Sequence, residues 1–189
     1  MNNIFNCVAL SHDLIENSLR SGMIAIDATC GNGHDMLFLA KLVGETGYVY
    51  GFDIQLKAIN NTDERLKQND ITHYKLFQDS HANISKHIKK SIDCCVFNLG
   101  YLPSSKSKTT TKASVTVRAV KTSIKLLNKK GVIVICAYVS HAGGRREYRH
   151  ILKYCKRLDR RNFQIMVFDQ PNSGDFAPKV LFIRKKVDF

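Results

Sequence analysis

Seven short apolar, β-branched or aromatic runs are spaced along the 189 residues, at 23–29, 47–53, 72–78, 93–98, 131–139, 162–168 and 179–185. Between the first six lie segments whose apolar residues recur at helical spacing, with Gly44 and Gly131 as stop signals. Another amphipathic segment, 7–20, precedes the first run. Few architectures accept that order. Strands alternating with helices build a mostly parallel sheet with helices on both faces. A strand covered on both faces is continuously apolar, and 23–28 and 131–137 read that way. No helix-length segment separates the last two runs, so the C-terminal strand is expected to pair antiparallel with its predecessor. The expectation is an α/β, Rossmann-like fold with seven strands, one domain over residues 1–189, long enough to bury its own core. No run approaches the ~18–20 apolar residues of a membrane span. The N-terminal stretch carries acids and lacks a basic start, so it does not read as a signal peptide.

In open sheets of this kind, ligands sit beyond the C-terminal strand ends, where strand order reverses. The first four runs end there on Asp27, Asp53, Asp79 and Asn98. A single acid after a strand is usually a turn former or a helix cap. Polar endings on four successive strands make a constellation. The first is followed by a turn holding Gly31, Asn32 and Gly33, and then by Asp35. Asp53 lies about twenty residues beyond that turn, where a carboxylate accepts hydrogen bonds from both ribose hydroxyls of an adenosine cofactor. Two such cofactors compete, a dinucleotide and S-adenosylmethionine. A dinucleotide loop wants a third glycine, and Met36 stands in its place. Asp27 and Asp35 flank the turn and would repel a pyrophosphate at close range. The same acids suit a ligand with an ammonium and a sulfonium, so S-adenosylmethionine is the expected cofactor.

The segments "DATCGNGHD" (27–35), "GFDIQ" (51–55), "DSH" (79–81), "NLGYLP" (98–103) and "HAGGRRE" (141–147) together resemble the bacterial class I methyltransferases known as rRNA methylases. The resemblance covers essentially the whole chain. The family includes a tRNA methyltransferase that completes a wobble-uridine modification. The resemblance implies a class I methyltransferase fold and a set of roles. Asp27, Gly31, Asn32, Gly33 and Asp35 would form the methionine-side pocket. Asp53 would hold the ribose, with Gln55 beside it. Asp79, Ser80 and His81 would border the adenine, and Asn98 and Gly100 would line the methyl-transfer channel. The chain departs from common class I sequence at Thr29, where many members have glycine, and from the family at Ser104-Ser105, where two glycines are expected.

"NLGY" also carries chemistry of its own. The Asn98 side-chain oxygen and a nearby backbone carbonyl accept hydrogen bonds from an amine and aim its lone pair, while Tyr101 packs on a base. Methylation at a pyrimidine C5 would need a nucleophilic cysteine after this strand, and Cys94 and Cys95 precede it. Nitrogen is therefore the expected acceptor, with Asn98 and Tyr101 acting by position. Tyr101, His141 and Asp35 are candidate proton acceptors that spacing does not rank. On the resemblance, the substrate is the 5-aminomethyl group of wobble 2-thiouridine in the anticodon of tRNA. An rRNA target is the nearest rival. A nicotinamide-dependent oxidoreductase is opposed by the missing glycine, and a non-catalytic RNA-binding protein by the intact donor-site acids.

Charge is divided unevenly. Residues 1–100 carry nine Lys/Arg against eleven Asp/Glu, and residues 101–189 carry twenty against five. So basic a half calls for a polyanion. On the RNA side stand Pro103, Lys106, Lys108 and Lys112 in the polar loop, then His141, Gly143 and Gly144 before a helix. Arg145, Arg149, Lys153 and Lys156 recur along that helix as a basic stripe, with Arg146 in its first turn and Arg160 and Arg161 just beyond. The six cysteines form no C-x-x-C pair, so no metal site is expected. They read as reduced, mostly buried thiols of a cytoplasmic protein. A homodimer is implied by the resemblance alone.

Overall fold

Side chains alternate across a strand, and here that alternation divides the core in two. The computed structural model describes residues 6–100, 112–140, 143–174 and 176–187. In chain order it runs α1 (Cys7–Glu16), β1 (Ile24–Asp27), α2 (His34–Val43), β2 (Tyr48–Asp53), α3 (Leu56–Lys67), β3 (Tyr74–Gln78), α4 (Ile84–His87) and β4 (Ile92–Leu99). It continues with α5 (Ala113–Leu126), β5 (Leu127–Ala137), α6 (Gly144–Cys155), β6 (Phe163–Phe168) and β7 (Lys179–Lys185). Ala25, Cys94, Val96, Val132, Val134 and Val180 pack on one face against Ile15 of α1 and Met36, Leu39 and Val43 of α2. Their neighbours Ile26, Cys95, Phe97, Ile133, Ile135 and Leu181 pack on the other against Val120 of α5 and Ile151 of α6. Both faces are covered, which is why β1 and β5 read as unbroken apolar runs.

The sheet order is β3-β2-β1-β4-β5-β7-β6. Pairing is parallel from β3 through β5, while β7 runs antiparallel to both β5 and β6. The antiparallel C-terminal strand is as expected. Its insertion between β5 and β6 places it more centrally than a simple hairpin at the edge. Strand order reverses between β1 and β4, so the segments after those strands flank a crevice at the C-terminal edge.

Several boundaries differ from the sequence expectation. The first helix stops at Glu16 rather than near 20, because the Arg20 guanidinium donates to the Glu16 and Leu19 carbonyls and the Ser18 hydroxyl to that of Leu14. The segment at 82–90 is a 3-10 turn, His81–Asn83, followed by the single-turn α4. The long helix ends at Leu126, and β5 begins at once with Leu127 opposite Ile92. Cys94 next pairs with Val132, so the intervening residues bulge out, with Lys130 at φ 67°. The buried Leu127 side chain prefers the sheet to another helical turn. Among the described residues no helix is long and apolar enough to cross a membrane.

Candidate functional site

The turn between β1 and α2 lies across the sheet edge. The Ala28 N–H donates to Val96 O and the Cys30 N–H to Phe52 O, so the loop is stitched to β4 on one side and β2 on the other. Gly31 and Gly33 have φ 53° and 77°. A Cβ on Gly33 would also lie 2.8 Å from Thr62 Cα, so α3 packs hard against the start of α2. Asn32 is tied to that helix. Its side-chain oxygen accepts from Asn61 Nδ2 at 2.9 Å and its carbonyl from Arg65 Nε at 2.7 Å. The Asn32 side chain and carbonyl thus both serve α3.

Asp27 has no exposure at all. One oxygen accepts from Thr29 N–H at 2.9 Å, and the other has no hydrogen-bond partner among the described residues. Burial, with Asp35 next in effect, pushes this carboxyl well above the usual carboxylate range. An orphaned acid beneath a glycine turn fits a ligand with a cationic ammonium. The folded-state pKa exceeds the unfolded one, so the unliganded protein gains stability from this group at low pH. That gain is lost as pH rises through the folded value. Asp27→Asn is therefore expected to raise the melting temperature of the unliganded protein near neutral pH by about 2–4 °C, the equivalent of ~1 kcal/mol in a chain of this size. The same change should weaken S-adenosylmethionine binding. Differential scanning fluorimetry and calorimetry test the pair, and a lowered melting temperature would show that the ionised form is already compensated.

Asp53 ends β2 and accepts from Gly31 N–H at 3.1 Å and from Gln55 N–H at 2.9 Å. Gln55 caps α3 between Ile54 and Leu56, which are 54% and 55% exposed. Two large apolar side chains left open beside a carboxylate suit the face of a base. The sequence reading passed over both. Asp79 follows β3 and accepts from Ser80 N–H, Asn83 Nδ2 and His87 Nε2, at 2.7–2.8 Å. His87 foremost holds its carboxyl below the usual range. Ser80 caps the 3-10 turn through its hydroxyl. His81 is buried, with Nδ1 donating to Ala28 O at 3.1 Å and Nε2 without a partner among the described residues. Burial lowers its pKa, which keeps Nε2 an acceptor.

At the end of β4 the Asn98 backbone N–H donates to Thr29 Oγ1 at 2.7 Å. The threonine that replaces the common glycine thereby locks the two segments together across the crevice. Asn98 Nδ2 lies 3.3 Å from Asp35 Oδ2, and Asp35 Oδ1 lies 2.8 Å from His12 Nε2. His12 in turn stacks on Phe38 at 3.8 Å between ring centroids. A carboxylate only accepts, so Nδ2 must face Asp35 and the Asn98 oxygen is turned the other way. His12 was missed by sequence reasoning. It sits on α1, outside every segment that carried the family resemblance, and no spacing links it to Asp35. Tyr138 was missed as well. A Cβ on Gly100 would lie in ordinary van der Waals contact with its ring at 3.4 Å, so Tyr138 borders the chain just beyond β4.

Gly143, at φ 91°, caps α6, and Gly144 is buried in its first turn. Arg145 is half-buried over the Phe176 ring at 4.3 Å, and Arg149 is exposed. Tyr101, Pro103, Lys106, Lys108 and His141 lie outside the described residues. Among those described, no cluster of His, Cys, Asp or Glu is arranged to hold a metal ion. The six cysteines are all free and buried.

A doubly covered sheet in the order 3214576, with glycines and acids gathered at the β1/β4 switch, defines a class I S-adenosylmethionine-dependent methyltransferase. Residues 49–184 match the family described as "Putative rRNA methylase", and the chain belongs to that RNA-modifying family. It is 31% identical over 188 residues to the tRNA (mnm(5)s(2)U34)-methyltransferase, chloroplastic, of Arabidopsis thaliana, covering 94% of this chain and 68% of that protein. The crystal structure of a "putative rRNA-methylase" from Clostridium thermocellum superposes with a TM-score of 0.92 at 37% identity, covering 95% of this chain and 97% of the other. A Streptococcus mutans methyltransferase in complex with SAH gives a TM-score of 0.86 at 35% identity, with 95% and 98% covered.

Proposed function

We propose that the protein N-methylates the 5-aminomethyl group of wobble 2-thiouridine in tRNA, engaging the anticodon region. The observation that carries this reading is the orientation of Asn98. Asp35 claims its amide nitrogen, so its oxygen faces the crevice as an acceptor suited to an amine N–H. The likeness to the Arabidopsis enzyme supports the wobble position.

S-adenosylmethionine, when bound, supplies an electrophilic methyl group on a sulfonium. Asp53 takes the ribose hydroxyls, Ile54 and Leu56 cover the base, and Gln55 stands beside them. His81, with Asp79 and Ser80 fixing its turn, borders the adenine. Asp27, Asp35 and the backbone of Gly31, Asn32 and Gly33 receive the methionine end. Asn98 holds the amine with its lone pair directed inward, and Gly100 lines the channel beside the Tyr138 ring. Positioning of two reactants in a dry crevice is the main demand of such a transfer. Gly143, Gly144 and Arg145 open α6 at the same edge for the RNA, and Tyr101, Pro103, Lys106, Lys108 and His141 are proposed as further RNA contacts.

Nucleoside mass analysis of tRNA from cells lacking the gene tests the substrate. Unmethylated 5-aminomethyl-2-thiouridine should accumulate and disappear on complementation. Unaltered tRNA, with a methyl group missing from rRNA instead, would move the target to the ribosome.

A further inference from the structure

The structure also holds a basic cleft of about 860 Å³ between α5 and α6, which takes Lys153 from the stripe read in the sequence and leaves Arg145, Arg149 and Lys156 outside it. The buried side of α6 is marked by Gly144, Glu147, Ile151 and Cys155. At about 100° per residue, Arg145, Arg149 and Lys156 lie together on one outer flank of the helix. Arg146, His150, Lys153 and Arg157 lie on the other outer flank, about a quarter-turn from the first, and line the cleft with Arg118 and Lys121 of α5. All six are exposed. The floor is Ala113, Val117 and Tyr154, with Lys121 Nζ 5.3 Å from the Tyr154 ring. No acid is among the lining residues. Glu147 of α6 is buried and accepts from the Thr116 hydroxyl, tying α6 to α5.

The mouth of the cleft is formed by Lys112 and Gly143, which precede α5 and α6. These helices follow β4 and β5, so the mouth opens at the edge that holds Asn98. From Gly143 to Arg157 the helix rises roughly 20 Å, at ~1.5 Å per residue. Such a length of like charge repels itself until an anion enters, and its span suits several phosphates in line rather than one.

We propose that the α5–α6 cleft is the track for the RNA phosphate backbone leaving the catalytic edge. This rests on the reading of the protein as an RNA methyltransferase and assigns where its substrate lies. Fluorescence anisotropy of a labelled, unmodified anticodon stem-loop, titrated against salt, tests it alongside calorimetry with SAH. Arg118→Ala combined with Arg157→Ala should weaken RNA binding roughly 10–30-fold and reduce the salt slope by about 2, with SAH affinity unchanged. Arg149→Ala combined with Lys156→Ala removes the same charge from the other flank of α6, outside the cleft, and should cost less than about 3-fold. Equal losses from the two pairs, or a larger loss from the pair outside the cleft, would overturn the cleft while leaving the activity standing. A wild-type protein that binds SAH but no RNA would overturn both. One that binds RNA through the cleft yet leaves wobble uridine unmethylated would support the track and refute the proposed substrate.

Discussion

Asp53→Ala is expected to lose S-adenosylmethionine and SAH binding by on the order of 10²–10⁴-fold while RNA affinity stays within about 2-fold. A carboxylate offers roughly four lone-pair sites. The Gly31 and Gln55 amides occupy one on each oxygen, leaving one on each for the two ribose hydroxyls. Hydrogen bonds to an ionised group contribute about 1.5–3 kcal/mol apiece, so two give the stated range. The substitution also releases Gly31, which sits at positive φ in the turn, so part of the loss passes through a loosened loop. Asp53→Asn is the milder variant, since it keeps nearly the same shape but only one oxygen to accept from Gly31 and Gln55, its amide nitrogen facing the other N–H. Its affinity for the methyl donor and its melting temperature should both fall between those of wild type and Asp53→Ala. Calorimetry with SAH and anisotropy with a stem-loop RNA read the two ligands independently. Parallel loss of both would mean that Asp53 holds the edge together rather than holding a ribose.

That carboxylate was legible in the sequence because its position follows from two local facts, an apolar run and the distance from a glycine turn. The sheet was legible for the same reason, since period and punctuation are local. What lay beyond reach depends on contacts distant in the chain. The placement of β7 between β5 and β6 is one, because a hairpin and an inserted strand share the same apolar pattern. The early start of β5 is another, decided by Leu127 finding Ile92. Within the site, Asp27 and Asp53 stand where their strands leave them. Asn32 was read as part of the pocket, yet Asn61 and Arg65 on α3 take its side-chain oxygen and its carbonyl. The basic helix shows the limit best. Its charges were plain, but which flank faced a neighbour depended on α5 lying alongside, and α6 turns Arg146 rather than Arg149 into the cleft.

Asn98→Ala is expected to lower kcat for methyl transfer by on the order of 10²–10³-fold, with SAH affinity within about 3-fold of wild type. Misplacing a reacting group by ~1 Å is enough for a loss of about 10²-fold, and the variant removes the acceptor altogether. The backbone N–H of residue 98 still donates to Thr29 Oγ1, so the crevice keeps its width and the donor pocket its walls. Asp35→Ala tests the orientation, with kcat read at saturating S-adenosylmethionine because Asp35 also borders the methionine end. Without its acceptor the Asn98 amide is free to turn over and present Nδ2 to the amine. A fall of roughly 10-fold in kcat is expected, larger than any change in KM for RNA. His12→Ala should follow the same direction more weakly, because Asp35 would keep Asn98 but lose the partner that fixes its other oxygen. The three effects should not add, since Asn98→Ala leaves nothing for Asp35 to orient. Single-turnover rates for the single and double variants distinguish that pattern from independent damage. A loss of SAH affinity matching the loss of kcat in Asn98→Ala would place Asn98 on the cofactor side, and the amine would then need another acceptor.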